Sequence, residues 1–243
     1  MILASYNILL IIIGIFFFPL LLLIILSRKK YRGRTLERLG LNIGKRASNS
    51  VETASAAKRP VIWIHALSVG EVTSALPLIK SLRTEMAEAV LVVTVGTSSG
   101  KITAENLLSP YVQRILSGPF DLRFSIQRYI RLIHPDLFIQ VETDFWPNRL
   151  FLFQKKNIPT MLVNGRISEK SFAVYQRFAF LFRPMFSSFD VLSMQTEEDC
   201  HKMTLLGVSS DKVVALGNLK YDMEGPCPRK GDLILSGADA GKK

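Results

Sequence analysis

Glu71 ends the run His65-Ala-Leu-Ser-Val-Gly-Glu71, which directly follows a short apolar segment. Gly70 permits a tight turn into a helix. Glu71 then falls in the first helical turn, where unpaired N–H groups and the helix dipole favour a charged carboxylate. A carboxylate so placed can take a proton from an incoming hydroxyl, with Ser68 and Gly70 beside it as candidate substrate-binding residues. The same placement also serves stability alone, because acidic residues are common at helix starts. His65 by itself reads as a core histidine.

Three further motifs carry usable chemistry. Glu142-Thr-Asp-Phe-Trp-Pro-Asn148 sets two carboxylates beside two large aromatic groups and an amide. Glu142, Trp146 and Asn148 suit sugar recognition; the competing reading is a helix start capped by Asp144 or Thr143 with its aromatics packed as a staple. In Asn164-Gly-Arg-Ile-Ser168, the guanidinium fork of Arg166 fits a phosphate or carboxylate, or else closes a turn by a surface ion pair. Lys220, in Gly217-Asn-Leu-Lys-Tyr-Asp222, could meet a phosphate or lie on an ordinary exposed turn. Gly96-Thr-Ser-Ser-Gly-Lys101 is not a P-loop. Only three residues separate its glycines and Ile102 follows the lysine, which excludes triphosphatase chemistry of that kind; its backbone N–H groups could still meet an anion.

These motifs need elements to hold them. Val61–His65, Val90–Val95, Gln113–Leu116, Asp136–Val141, Pro159–Val163, Val191–Met194 and Val213–Leu216 read as short strands. Between them lie helical stretches, among them Val72–Leu82, Lys101–Leu108, Arg123–Ile133, Pro147–Lys156 and Glu197–Leu206. Glu169–Phe186 reads as helix broken before Pro184. Alternating strands and helices imply βαβ units and a parallel sheet, an α/β Rossmann-like domain over residues 60–222. Ligands in such sheets bind beyond the carboxyl ends of the strands, where each motif falls.

Ahead of this domain, residues 1–27 carry no charged side chain. Nineteen helical residues from Ile8 reach roughly 28 Å, one hydrocarbon core. Positive charge follows the apolar run rather than preceding it, so the segment reads as an uncleaved membrane-anchor helix with the domain on the cytoplasmic face. Residues 28–59 form a basic juxtamembrane segment and a small-residue linker. The net charge is +11, and much of the excess lies between Arg28 and Arg46, which points to an anionic membrane surface. No nucleic-acid signature accompanies it. Cys200 and Cys227 form no motif, and the three histidines lack metal-ligand spacing, so no metal is expected.

Taken together and in order, Ser68-Val-Gly-Glu71, Glu142–Asn148, Asn164–Ser168, Gln195-Thr-Glu-Glu-Asp199 and Gly217–Asp222 closely resemble the 3-deoxy-D-manno-octulosonic acid (Kdo) transferases. The resemblance spans nearly the whole chain to Asp222. It implies the amino-terminal domain of a GT-B glycosyltransferase. The activity implied is inverting transfer of Kdo from CMP-Kdo to the lipid A precursor in lipopolysaccharide assembly at the inner membrane, without metal or other cofactor. It implies that Glu71 is the general base and that Glu142 shares its cleft. Asp144, Phe145 and Gly165 depart mildly from the family's usual Glu, Leu and Ala. The family's donor domain would begin near residue 225, whereas residues 223–243 resemble no part of it. The expectation is an incomplete form that binds acceptor and does not transfer Kdo alone. The alternatives are another membrane-associated GT-B glycosyltransferase, or a non-catalytic module that binds acceptor or membrane.

Overall fold

The computed structural model of the chain describes residues 2–27, 29–41, 43, 59–142 and 144–222. Strands β1 (Val61–Ala66), β2 (Val90–Val95), β3 (Arg114–Ser117), β4 (Leu137–Val141), β5 (Thr160–Gly165), β6 (Val191–Met194) and β7 (Val213–Ala215) form a seven-stranded sheet. Its order is β3-β2-β1-β4-β5-β6-β7, and every pairing is parallel. Every residue of β1 and β2 is buried. That explains their unbroken apolar runs, because a parallel strand is covered on both faces.

The helices are α1 (Ile2–Ser27), α2 (Lys29–Arg38), α3 (Val69–Glu85), α4 (Ser98–Leu108), α5 (Arg123–Ile133), α6 (Pro147–Lys155), α7 (Glu169–Arg177), α8 (Ala179–Ser187) and α9 (Glu197–Leu205). Side chains of β1 alternate between two layers. Val61 and Trp63 pack with Tyr129, Phe138 and Phe153, on the side of α5 and α6. Ile62, Ile64 and Ala66 pack with Val72, Ala75, Ile79 and Ala104, on the side of α3 and α4. Trp63 anchors the first layer, stacked on Tyr129 at 5.9 Å and edge-on to Phe138 and Phe153. A third cluster closes the β5–β6 end around Phe186, Phe189 and Leu192.

The chain builds outward from β1 to β3, returns to β4 on the other side of β1, and continues outward to β7. The reversal opens a crevice between the carboxyl ends of β1 and β4, the usual ligand position in open α/β sheets. The expected Rossmann-like sheet is thus present. The break in the long helix lies at Phe178 rather than before Pro184. Phe178 closes α7 as its C-cap and also precedes α8, while Pro184 sits inside α8.

The segment before the sheet departs further from expectation. Arg34 and Arg38, read from sequence as part of a membrane-facing basic run, are docked on the domain. Arg34 donates to Ser98 Oγ at 2.5 Å and to the Gly96 carbonyl. Arg38 Nε donates to the Gly118 carbonyl at 2.9 Å, and its guanidinium lies 4.0 Å over the Phe120 ring. Between them, Glu37 accepts from Lys101 Nζ, the Ser117 N–H and the Ser117 hydroxyl. Among the described residues no helix is long and apolar enough to cross a membrane. The expected spanning anchor therefore gains no support, although α1 itself carries no charge. What α1 does show is packing: Tyr6 and Asn7 hydrogen-bond to the domain. The linker 44–58 and the tail 223–243 lie outside the described residues.

Glu37→Ala is expected to lower the unfolding free energy by about 1–3 kcal/mol near neutrality, because it strands a buried Ser117 N–H. Burial pushes the Glu37 carboxyl up, but the bonds from Ser117 and Lys101 outweigh it and hold the group below its ordinary value. Its contribution is therefore present above the unfolded carboxylate pKa and is lost as pH falls through the lower folded value. Chemical denaturation near neutrality and at about pH 3 checks this; an equal loss at both would contradict it.

Candidate active site

Helix α3 begins at the end of β1 with Ser68 as its N-cap, whose hydroxyl accepts from the Glu71 N–H. Glu71 turns back over this cap. Its Oε2 accepts the Leu67 N–H at 2.6 Å, and Oε1 lies 3.3 Å from the Ser68 hydroxyl. This is a capping-box arrangement moved by one residue. Glu71 is nonetheless 8% exposed. Burial pushes its carboxyl up to about 7; the Leu67 bond opposes the shift, and the charges of Glu142 and Asp144 reinforce it. Gly70 lies exposed in the same turn.

Glu142 leaves β4 with φ of 56°, and Asn164, at the equivalent end of β5, has φ of 58°. Left-handed backbone is unusual for residues with side chains and persists where surrounding contacts impose it. Here the contacts are specific. Asn164 Nδ2 donates to Glu142 Oε1 at 3.2 Å, and Asn164 Oδ1 accepts the Leu219 N–H at 3.2 Å. The Asn164 carbonyl accepts from Gln195 Nε2. Asn164 thereby ties the ends of β4 and β5 to the Gly217–Asp222 segment. Ser74 Oγ lies 3.4 Å from Glu142 Oε1 but only 2.8 Å from the Gly70 carbonyl oxygen, to which its hydroxyl donates.

Asp144 is the third carboxylate. It receives His65 Nε2 at 2.9 Å, Arg149 Nη2 at 3.3 Å and Trp146 Nε1 at 2.6 Å. Burial would raise its pKa, but the His65 bond and the Arg149 charge win and hold it well below the usual carboxylate range. His65 is shifted down to about 4 by burial and by the Arg149 charge. The contact is therefore a hydrogen bond from a neutral imidazole to a carboxylate. Because Asp144 accepts, Nε2 carries the proton. Nδ1 must then accept, and its partner is the Thr94 hydroxyl at 2.8 Å, which in turn accepts from Trp63 Nε1 at 2.8 Å. Gly118 gives the imidazole room: a Cβ there would lie 2.7 Å from His65 Cε1.

The structure thus gathers Ser68, Gly70, Glu71 and Glu142 along the crevice. Arg166 is exposed at the end of β5, and Lys220 is exposed on the segment that Asn164 holds. Trp146 is 44% exposed, with its indole N–H turned in to Asp144. Asn148 differs from its expected role in ligand contact. It is fully buried, and its amide is engaged by the Asp121 carbonyl and Asn7. Asp144 does not cap α6: it is held by His65 and Arg149, and the N–H groups of Asn148 and Arg149 go to Asp121, while Thr143, the other expected cap, lies outside the described residues. Sequence reasoning missed Arg149, Thr94 and Asp121. Thr94 sits in an apolar strand, and Asp121 lies far from α6 in sequence. Among the described residues no group of acidic, histidine and cysteine side chains could hold a metal ion.

Residues 34–223 match the family model described as 3-deoxy-D-manno-octulosonic-acid transferase (kdotransferase). The chain belongs to the Kdo transferase family. It is 31% identical over 196 residues to the 3-deoxy-D-manno-octulosonic acid transferase of Haemophilus influenzae, covering 80% of this chain and 43% of that one. The enzyme of that name from Chlamydia muridarum is 34% identical over 168 residues, 68% of this chain and 38% of the relative. A bifunctional glycosyltransferase/methyltransferase of Fusobacterium nucleatum is 31% identical over 197 residues, 79% of this chain and 30% of its own length. The chain therefore spans less than half the length of these relatives. Among solved structures, UDP-GlcNAc 2-epimerase from Neisseria meningitidis superposes with a TM-score of 0.50 at 14% identity, covering 66% of this chain and 47% of that one. The S. aureus MnaA–UDP complex gives 0.51 at 17% identity, covering 76% and 49%. At such identities the likeness is one of fold.

The raised Glu71 carboxyl has a measurable consequence for stability. An acid whose folded pKa is raised favours folding below its unfolded pKa, and that stability is lost as pH rises towards the folded value of about 7. Glu71→Gln keeps an acceptor for Leu67 and removes the buried charge. The variant is expected to gain about 1–2 kcal/mol over the native chain between about pH 4.5 and pH 8. Denaturation at both pH values checks it, and a difference independent of pH would contradict the shift.

Proposed function

We propose that this chain forms the acceptor side of a Kdo transferase that moves Kdo from CMP-Kdo to a hydroxyl of the lipid A precursor in lipopolysaccharide biosynthesis. The observation that carries this reading is the position of Glu71, a buried carboxyl beside Glu142 at the switch point of the sheet, where burial pushes it up to about 7. A general base is most effective when its pKa lies near the working pH. In the proposed step, ionised Glu71 takes the acceptor hydroxyl proton as that oxygen bonds to the Kdo anomeric carbon. The bond from that carbon to the phosphate oxygen of CMP breaks, and CMP leaves with the electron pair. Attack opposite the leaving group inverts the centre. The step as written draws on no metal or other cofactor.

Burial, reinforced by Glu142 and ionised Asp144, keeps the Glu71 proton affinity high enough for this work. Trp146 offers an aromatic face to a sugar, while exposed Arg166 and Lys220 suit the phosphates of an acylated disaccharide. Such an acceptor lies at a membrane surface. In this reading the domain works at the cytoplasmic face of the inner membrane as a partner of anionic lipid, a reading supported by the uncharged run of residues 2–27 and the excess of basic residues in the chain. The donor side is assigned to the part of the relatives that this chain does not span.

The test is a chimera of this chain with the remaining length of the Haemophilus influenzae relative, assayed with CMP-Kdo and lipid A precursor. Glu71→Gln is expected to lower kcat by roughly 10²–10⁴-fold. The native chimera should lose rate as pH falls through about 7, where Glu71 protonates. Near-normal turnover by the variant would place the base elsewhere. Turnover of a UDP-sugar but not CMP-Kdo would favour a different glycosyltransferase. The unjoined chain is expected to bind acceptor without sustained CMP release.

A further inference from the structure

Helix α6 starts without a cap of its own, since Trp146 makes no side-chain cap hydrogen bond. Asp121, on the loop between β3 and α5, supplies one from outside. Its Oδ2 accepts the Asn148 N–H at 3.0 Å and its Oδ1 the Arg149 N–H at 2.9 Å. The Asp121 carbonyl accepts Asn148 Nδ2 at 2.7 Å. A carboxylate over two free N–H groups at a helix start satisfies donors that would otherwise be orphaned.

Helix α1 completes the arrangement. The Tyr6 hydroxyl donates to Asp121 Oδ2 at 2.9 Å, and Asn7 Nδ2 donates to Asn148 Oδ1 at 2.9 Å. These contacts span 115 and 141 residues of sequence. The first turn they hold also carries Arg149. Arg149 Nη2 reaches Gln140 Oε1 at 2.9 Å, the Asp144 carbonyl at 2.6 Å and Asp144 Oδ2. A shift of that turn would move Arg149, then Asp144, then the charge that Glu71 faces.

We propose that Asp121 is a positioning residue of the crevice and that α1, through Tyr6 and Asn7, is part of the scaffold that fixes the carboxylates. The inference rests on the transferase reading for the purpose of the site, and it names what sets the site's geometry. Seating of the amino-terminal helix and assembly of the crevice are then one event. A chain with α1 displaced keeps its sheet and loosens the start of α6.

The experiment is amide hydrogen exchange on the full chain in neutral-detergent micelles, read at Asn148 and Arg149 against sheet amides at Val92 and Ile139. The Tyr6→Phe/Asn7→Ala double variant should exchange roughly tenfold faster at Asn148 and Arg149, the loss expected for two hydrogen bonds, with the sheet amides unchanged. Asp121→Ala should exchange faster still, and Asp121→Asn, which keeps one acceptor oxygen, should fall between. Trp146 emission should move to longer wavelength in step, because its indole bond depends on Asp144. Unchanged exchange at Asn148 and Arg149 in the double variant would overturn the proposal. So would equal acceleration of the sheet amides, which would mean a global loss of stability. None of these readouts uses Kdo transfer, so failure of the transferase reading would leave them where they are.

Discussion

Three carboxylates, Glu71, Glu142 and Asp144, are crowded at the carboxyl ends of two adjacent parallel strands, and the surrounding structure is arranged to bear their mutual repulsion. It does so unequally. Asp144 receives the neutral imidazole of His65, the guanidinium of Arg149 and the indole of Trp146, and remains ionised. Glu142 is held by Asn164 across the strand ends. Glu71 has only a backbone N–H and a neighbouring hydroxyl, too little to offset its burial and the charges of Glu142 and Asp144, so its proton affinity rises. Pairs of titratable groups whose environments drive their pKa values apart are the usual mark of divided acid and base roles.

The same economy of contacts explains why elements far from the crevice matter to it. His65 can lie flat at the end of β1 because Gly118, at the end of β3, has no side chain. The carbonyl of that glycine is held by Arg38 of α2. Ser117, one residue earlier, is held by Glu37 of the same helix. Helix α2 is thus built into the wall of the site, with Arg34, Glu37 and Arg38 engaged by protein partners. The basic run that looks like a membrane signal in sequence is, at Arg34 and Arg38, a set of struts.

Much of the fold is legible in the sequence. Short β-branched runs such as Val61-Ile-Trp-Ile and Val90-Leu-Val-Val, bounded by turn residues, read as strands covered on both faces. The turn residues that follow them mark the crevice edge. Glu71 and Glu142 are legible for related reasons: Glu142 directly follows a buried strand, and Glu71 lies in the first turn of the helix that follows one. What remains hidden is long-range pairing. Nothing local to Asp121 announces that it caps a helix beginning at Pro147, and nothing local to Asn148 announces that its amide is taken by Asn7. Thr94 reads as one more β-branched strand residue until Trp63 and His65 are seen to meet on its hydroxyl. Arg149 reads as a surface residue at a helix start, yet it is 3% exposed.

The unequal sharing of charge can be measured directly. A carbon-13 NMR titration of the side-chain carboxyls in the full chain, assigned by single substitution, would follow Glu71 and Asp144 separately. The account predicts a Glu71 midpoint near 7, with Asp144 ionised across the whole range in which Glu71 titrates. A Glu71 midpoint at the ordinary glutamate value of about 4.3, or Asp144 titrating in its place, would contradict it.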